Sequence, residues 1–175
     1  MPAQRFVEGL NAEIGREFAA SQQYLVMGLH YDGQALPRLA GFFYRQALEE
    51  RDHGLMMARY LLDSDEVPLL GALDAPRSDF ADAVAPIALA LEQEREVTGH
   101  IDELMAVARE ARDYASEQFV QWFVKEQVEE VSTMSQLLTV AERCRDDLME
   151  LEEYVERELA GAQDDDPTAP PVAGA

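Results

Sequence analysis

Four stretches of this chain repeat apolar residues at steps of four and three, and each repeat is broken by a glutamate on the same stripe. In 5–32 the stripe runs Leu10, Ile14, Glu17, Ser21, Tyr24. In 36–63 it runs Phe43, Ala47, Glu50, Gly54, Met57, Leu61, with His53 one turn from Glu50. In 82–112 it reads Ile87, Leu91, Glu94, Thr98, Ile101, Met105, and in 113–143 Phe123, Gln127, Glu130, Met134, Leu137. Steps of three and four keep residues on one face of an α-helix, so each stripe faces a core. A lone ionised carboxylate in a core is costly, and several together are prohibitive unless a cation neutralises them.

The punctuation between the stretches sets the topology. Asp32-Gly33 stops the first helix, Pro37 suits the first turn of the second, and Asp82 and Asp113 can cap the third and fourth. Pro86 falls close to the start of the third helix. A short fifth helix, 147–160, opens on Asp147-Leu148-Met149-Glu150, which has the form of a capping box, and Gly161 closes it. Each long helix would measure roughly 42–47 Å. The connection 64–81 carries Pro68, Gly71 and Pro76 without a clean period, and when extended it reaches ~60 Å, enough to return along the whole bundle. The expected fold is all-α: a ferritin-like four-helix bundle with a long crossover between helices 2 and 3 and a short C-terminal fifth helix. The folded domain is expected over 1–160, and 161–175, with its Asp and Pro and no large apolar group except Val172, is expected to be disordered.

The charge balance narrows the partners. With 35 acidic residues against 14 basic ones and a net charge of −21, the chain would be repelled by nucleic acid and by an anionic membrane surface. One cysteine, Cys144, excludes an intrachain disulfide or a Cys-rich zinc site, and three histidines exclude a multi-His metal site. No apolar run approaches the ~20 residues that cross a bilayer. The opening residues lack the apolar stretch of a secretory signal, so a cytoplasmic location is the expectation.

The stripe glutamates lie near the middle of their helices and therefore meet at one level, whichever way each helix points. Glu17, Glu50, Glu94, Glu130, Gln127 and His53 should converge in one layer. Oxygen ligands with a single imidazole suit Fe or Mn better than Zn, and two metals bridged by Glu50 would neutralise the carboxylates. Tyr24 lies two turns beyond Glu17 and could bond a ligand or relay an electron; an ordinary core tyrosine is the alternative. Glu49, Glu126 and Glu129 neighbour the stripe, where they could hold a third metal or line a solvated face. Trp122 reads as packing, His30 and His100 as surface or structural residues, and Cys144 as a packed thiol. Two other readings fit less of the pattern: a helical scaffold with an acidic docking face, and an oxygenase with a substrate pocket beside the metals.

The segments Glu17-Phe18-Ala19-Ala20-Ser21-Gln22-Gln23-Tyr24, Glu49-Glu50-Arg51-Asp52-His53, Glu92-Gln93-Glu94 and Gln121 to Glu130 resemble those of bacterial non-haem ferritins, the actinobacterial ones most. The resemblance spans about 5–160. It implies a cage of 24 subunits that oxidises Fe(II) with O2 or H2O2 at each bundle centre and stores ferric oxyhydroxide. It implies Glu17, Glu50 and His53 around a first iron, and Glu50, Glu94 and Glu130 around a second with Gln127 nearby. It further implies a third site at Glu49, Glu126, Glu129 and Glu130, and a tyrosine beside the centre at Tyr24. Bacterioferritins carry a haem-ligating Met directly after the bridging glutamate, where this chain has Arg51, so no haem is expected. They also carry Glu-x-x-His on the fourth helix, where this chain has Gln127-Val128-Glu129-Glu130, which implies a more weakly held second iron. Glu117, at the start of the fourth helix, is a candidate for lining an iron channel.

Overall fold

A computed structural model describes residues 1–161 and 166–174. Among them are five helices: α1 (Gln4–Gly33), α2 (Pro37–Asp63), α3 (Ala85–Glu110), α4 (Tyr114–Arg143) and α5 (Leu148–Glu158). α1 pairs with α2 and α3 with α4, while α5 rests on the ends of α2 and α4. The bundle with its crossover and terminal helix is the one that the stripes and connections predict.

Local chemistry sets the helix ends. Pro37 occupies the first turn of α2, where its missing N–H has no partner to lose. Asp113 accepts the Ser116 N–H at 3.2 Å and Asp147 accepts the Glu150 N–H at 3.2 Å, so each caps its helix. α3 starts later than position 82. Asp82 Oδ1 accepts the N–H groups of Val84 and Ala85 at 3.0 and 2.9 Å, drawing the entry into a turn before the helix proper. The crossover is clipped to α1 at two places. Gln23 exchanges bonds with the Arg77 backbone at 2.8 and 2.7 Å, and Asn11 Oδ1 accepts the Leu69 N–H at 2.6 Å.

The apolar core is not continuous. One cluster holds Tyr24, Tyr31, Phe43, Ile87, Leu137 and Leu151. The other holds Phe6, Leu10, Met57, Ile101, Leu104 and Phe123. The stripe glutamates fall between these two in sequence on every long helix, so a polar layer divides the core at mid-bundle.

α5 is held by more than its apolar face. The buried Glu152 carboxylate accepts the backbone N–H groups of Arg38 and Leu39 at 2.9 and 2.8 Å, acting as an N-terminal cap for α2 supplied by another helix. Arg38 in turn pairs with Glu156. Replacing Glu152 with Ala removes an acceptor from two backbone donors, the Leu39 one buried, and is expected to cost about 2 kcal/mol. Chemical denaturation measures it; an unchanged midpoint would show that the cap contributes nothing.

The segment expected to be disordered is described over 166–174, and 162–165 and 175 lie outside the described residues. Ala169 and Val172 pack against the second core cluster, and the Ala173 N–H reaches the Leu55 carbonyl at 3.4 Å. Asp166 accepts from Trp122 Nε1 at 3.1 Å and Lys125 Nζ at 3.0 Å.

Candidate metal centre

The polar layer draws on all four long helices: Glu17 on α1, Glu50 and His53 on α2, Glu94 on α3, Gln127 and Glu130 on α4. Each is at most 5% exposed. Glu17, Glu50 and His53 each present one donor atom, and all three atoms lie within 4.8 Å of one another. His53 Nδ1 is 3.2 Å from Glu50 Oε2. The α1–α2 approach that permits this depends on Gly54, where an added Cβ would sit 3.3 Å from the Phe18 ring and 3.4 Å from Glu17 Cβ. Ser21, the next stripe position on α1, donates to the Ala47 carbonyl at 2.5 Å across the same seam.

The α3–α4 half is organised around Glu94. The Tyr24 hydroxyl donates to Glu94 Oε1, and the Gln127 amide reaches Glu94 Oε2 at 3.5 Å. The Thr98 hydroxyl has two acceptors in reach, the Glu94 carbonyl at 2.8 Å and Gln127 Oε1 at 3.0 Å; its proton given to Gln127 Oε1 turns the Gln127 amide nitrogen toward Glu94. Tyr24 joins features of both readings: its ring is buried in the first apolar cluster against Phe43, and its hydroxyl bonds a stripe carboxylate.

The electrostatics follow from crowding acids out of water. Burial pushes Glu17 and Glu130 well above the ordinary carboxylate range, and the Glu50 charge pushes them further. Glu94 is pushed up to about 8 by burial and the Glu50 charge, against the bonds from Tyr24 and Gln127. Glu50 goes the other way. Burial would raise it, but the bond and charge of His53 and a bond from Glu17 hold it below its usual value. His53 is raised correspondingly, since the Glu50 bond and charge outweigh its burial. Without a cation the layer therefore resolves into one ion pair among carboxyls that hold their protons.

Two buried oxygens, Glu17 Oε2 and Glu50 Oε1, have no hydrogen-bond partner. Buried polar atoms rarely stay unpaired, and a cation drawn to these oxygens supplies what they lack. The donor set, oxygen-rich with one imidazole, fits Fe or Mn.

A second group of donors, Glu49, His53 and Glu126, also lies within 4.8 Å and is more open to solvent. Glu129, Asp52, Trp122, Lys125 and Asp166 share with it the walls of a cavity of about 580 Å³. Glu129 lines this cavity without joining the three-atom group. Burial raises Glu126, with the charges of Glu49 and Glu129 adding to it and His53 opposing. The Trp122 ring packs edge-on to His53 at 5.7 Å between centroids. Glu117 accepts from Arg109 Nε at 2.8 Å.

Glu13 is a further buried acid that the apolar stripes do not mark. It is fully buried on α1, one turn before Glu17, and accepts from Arg16 Nη1 at 2.7 Å while its other oxygen has no partner. Its place, one residue off the Leu10–Ile14–Glu17 stripe, gave the only signal: the stripe on α1 is wide enough to take it in, because α3 packs there as well as α2.

Comparison with known proteins places this arrangement. A family model described as a ferritin-like domain matches residues 7–144. Ferritin BfrB of Mycolicibacterium smegmatis is 47% identical over 162 residues, covering 93% of this chain and 89% of that protein. Bacterial non-heme ferritin of Staphylococcus epidermidis is 34% identical over 160 residues, covering 91% and 96%. Among solved structures, the open pore ferritin of the archaeon Archaeoglobus fulgidus superposes with a TM-score of 0.84 at 28% identity, covering 87% of this chain and 95% of that one.

Proposed function

Since the chain belongs to the ferritin family, we propose that it is an iron-storage ferritin of the non-haem kind, which oxidises Fe(II) at the polar layer and keeps the ferric product inside a cage of 24 copies. The observation that carries the reading is the Glu17–Glu50–His53 group with its two unpartnered buried oxygens, faced by Glu94 and Glu130.

Iron is the substrate. Glu17, Glu50 and His53 take one Fe(II), and Glu50, Glu94 and Glu130 take the other with Gln127 beside it. Each arriving cation draws protons off the raised carboxyls. Its charge is matched by the carboxylates so formed, and the higher charge of Fe(III) is matched better still, which favours oxidation at this place. The iron supplies the electrons that O2 or H2O2 accepts. Tyr24 holds Glu94 through its hydroxyl, and Thr98 fixes the Gln127 amide. Glu49, Glu126 and Glu129 form an onward, weaker iron site in the 580 Å³ cavity. The 1–160 unit carries all of these proposed iron ligands, with Asp166 completing the wall of the cavity, and a cytoplasmic location suits the protein.

The cage reading is supported by an apolar depression between α1, α2 and the crossover. It has a volume of about 620 Å³, and its walls include Phe18, Leu25, Leu48, Leu70 and Leu73. Leu25, Leu48 and Leu70 are exposed in the single chain, as residues awaiting a second copy would be. Arg51 lines the same depression at the position following Glu50, and its guanidinium pairs with Asp52 at 2.8 Å, which supports the non-haem assignment.

The test is anaerobic Fe(II) loading followed by air, with size-exclusion chromatography on the same sample. Oxidation well above a protein-free control, in a particle near half a megadalton, is the expected result. A monomer or dimer with control-level oxidation would instead favour a helical scaffold with an acidic docking face.

A further inference from the structure

Oxidising and hydrolysing iron makes acid. Two Fe(II), half an O2 and three waters give two FeO(OH) and four protons, with two electrons passing from iron to oxygen. Those of the protons that are released at the buried layer, where the carboxylates are occupied by metal, need a way out that is not itself a ligand.

Glu13 stands one turn from Glu17 on the same helix, a spacing of about 5–6 Å between Cβ atoms that one water can span. Its Oε1 is buried and has no partner. Its Oε2 accepts from Arg16 at 2.7 Å and lies 3.7 Å from His100 Nδ1 on α3, a nitrogen that is also buried and unpartnered. The His100 side chain is 33% exposed, so its ring joins the buried acid to solvent. The charged groups around Glu13 are Arg16 and Glu17 on α1, Glu50 on α2 and Glu103 on α3. Those around His100 are Arg16, Glu103 and Glu96.

We propose that Glu13 and His100 form a proton outlet leading from the metal centre to the surface between α1 and α3, an inference that rests on the Fe(II)-oxidation reading above. A proton leaving the layer passes through water to Glu13 Oε1; the Glu13 carboxyl releases one from Oε2 to His100 Nδ1, and the ring gives one up to solvent at Nε2. Burial pushes Glu13 up to about 7, with Arg16 opposing, so it both takes and gives protons near neutrality. Burial and the Arg16 charge hold His100 low, which keeps its ring neutral and able to accept. A third metal site in this place is disfavoured by Arg16, whose guanidinium already occupies the oxygen that a cation would share with His100.

The experiment follows proton release with an indicator dye and iron oxidation by absorbance in the same stopped-flow shot, from pH 6 to 8. Wild type should release protons in step with oxidation. Glu13→Gln and His100→Gln should bind as much Fe(II) anaerobically as wild type, yet release protons about 100-fold more slowly at pH 6. Added imidazole should restore the rate of His100→Gly. If both glutamine variants keep the wild-type rate and pH profile, or if both lose Fe(II) binding along with the rate, the outlet is overturned while the centre stands. A wild type that does not oxidise Fe(II) at all overturns the proposed function, and the outlet with it.

Discussion

Changing Glu50 to Ala is expected to cut the initial rate of Fe(II) oxidation by about 100-fold or more, because even groups that only support a metal ligand cost 10–100-fold when removed. Glu50 is shared by everything in the centre. It holds His53 by a 3.2 Å contact, shares the three-atom donor group with Glu17, and its charge acts on Glu17, Glu94 and Glu130. On the proposed assignment, removing it would take a ligand from both irons at once and release His53 from its orientation. Oxidation should fall together with anaerobic Fe(II) binding measured by calorimetry. An enzyme that oxidises iron at the wild-type rate without Glu50 would place the chemistry elsewhere.

The second large effect is the pH dependence of the metal-free protein. Glu94 has its folded value pushed up to about 8 from an unfolded value of 4.5. A group raised on folding contributes its stabilisation fully below the unfolded value, and that contribution is lost as pH rises through the folded one. Glu17 and Glu130 are raised in the same sense, and so is His53, which loses its contribution above its own raised value. Glu50 is lowered, so its share is kept above 4.5 and lost only in acid. The metal-free fold should therefore be most stable near pH 5 and should weaken towards pH 8, with Glu94 alone accounting for a loss on the order of 3–4 kcal/mol. Mn(II) or anaerobic Fe(II) should reverse this: the gain in melting temperature on adding metal should be larger at pH 8 than at pH 5, with protons released on binding. A metal-free protein that grows steadily more stable from pH 5 to pH 8 would show that the layer does not hold its protons.

The centre was legible because its residues obey two rules at once. Glu17, Glu50, Glu94 and Glu130 sit on apolar stripes, and they sit at matching heights, so periodicity alone placed them in one layer. Helix ends were legible wherever a side chain does the capping, as at Asp113 and Asp147. What escaped depends on contacts between distant parts of the chain. Glu152 reads as one more acid on a short acidic helix until α5 is laid against the start of α2. Glu13 becomes a buried acid only when α3 closes over it. Asp82 was read as the first cap of α3, but its side chain bonds Val84 and Ala85 and so winds a turn before the helix. In the terminal segment, Val172 was the one large apolar group, and it is Val172 that packs with Ala169 on the core. A single apolar residue carries no period, so no pattern pointed to it.

The division of the core by a polar layer also bears on how the chain reaches its native state. Helices α1 and α2 make a local hairpin that carries Glu17, Glu50 and His53; α3 and α4 make another that carries Glu94, Gln127 and Glu130. Each hairpin closes over a short turn and should form fast, whereas joining them has to bring together the ends of the long crossover. The carboxyls of one hairpin, Glu17 and Glu50, meet those of the other, Glu94 and Glu130, only at that joining. The slow step of folding is thus also the step that assembles the site, and a divalent cation present at that moment should accelerate folding as well as stabilise its product.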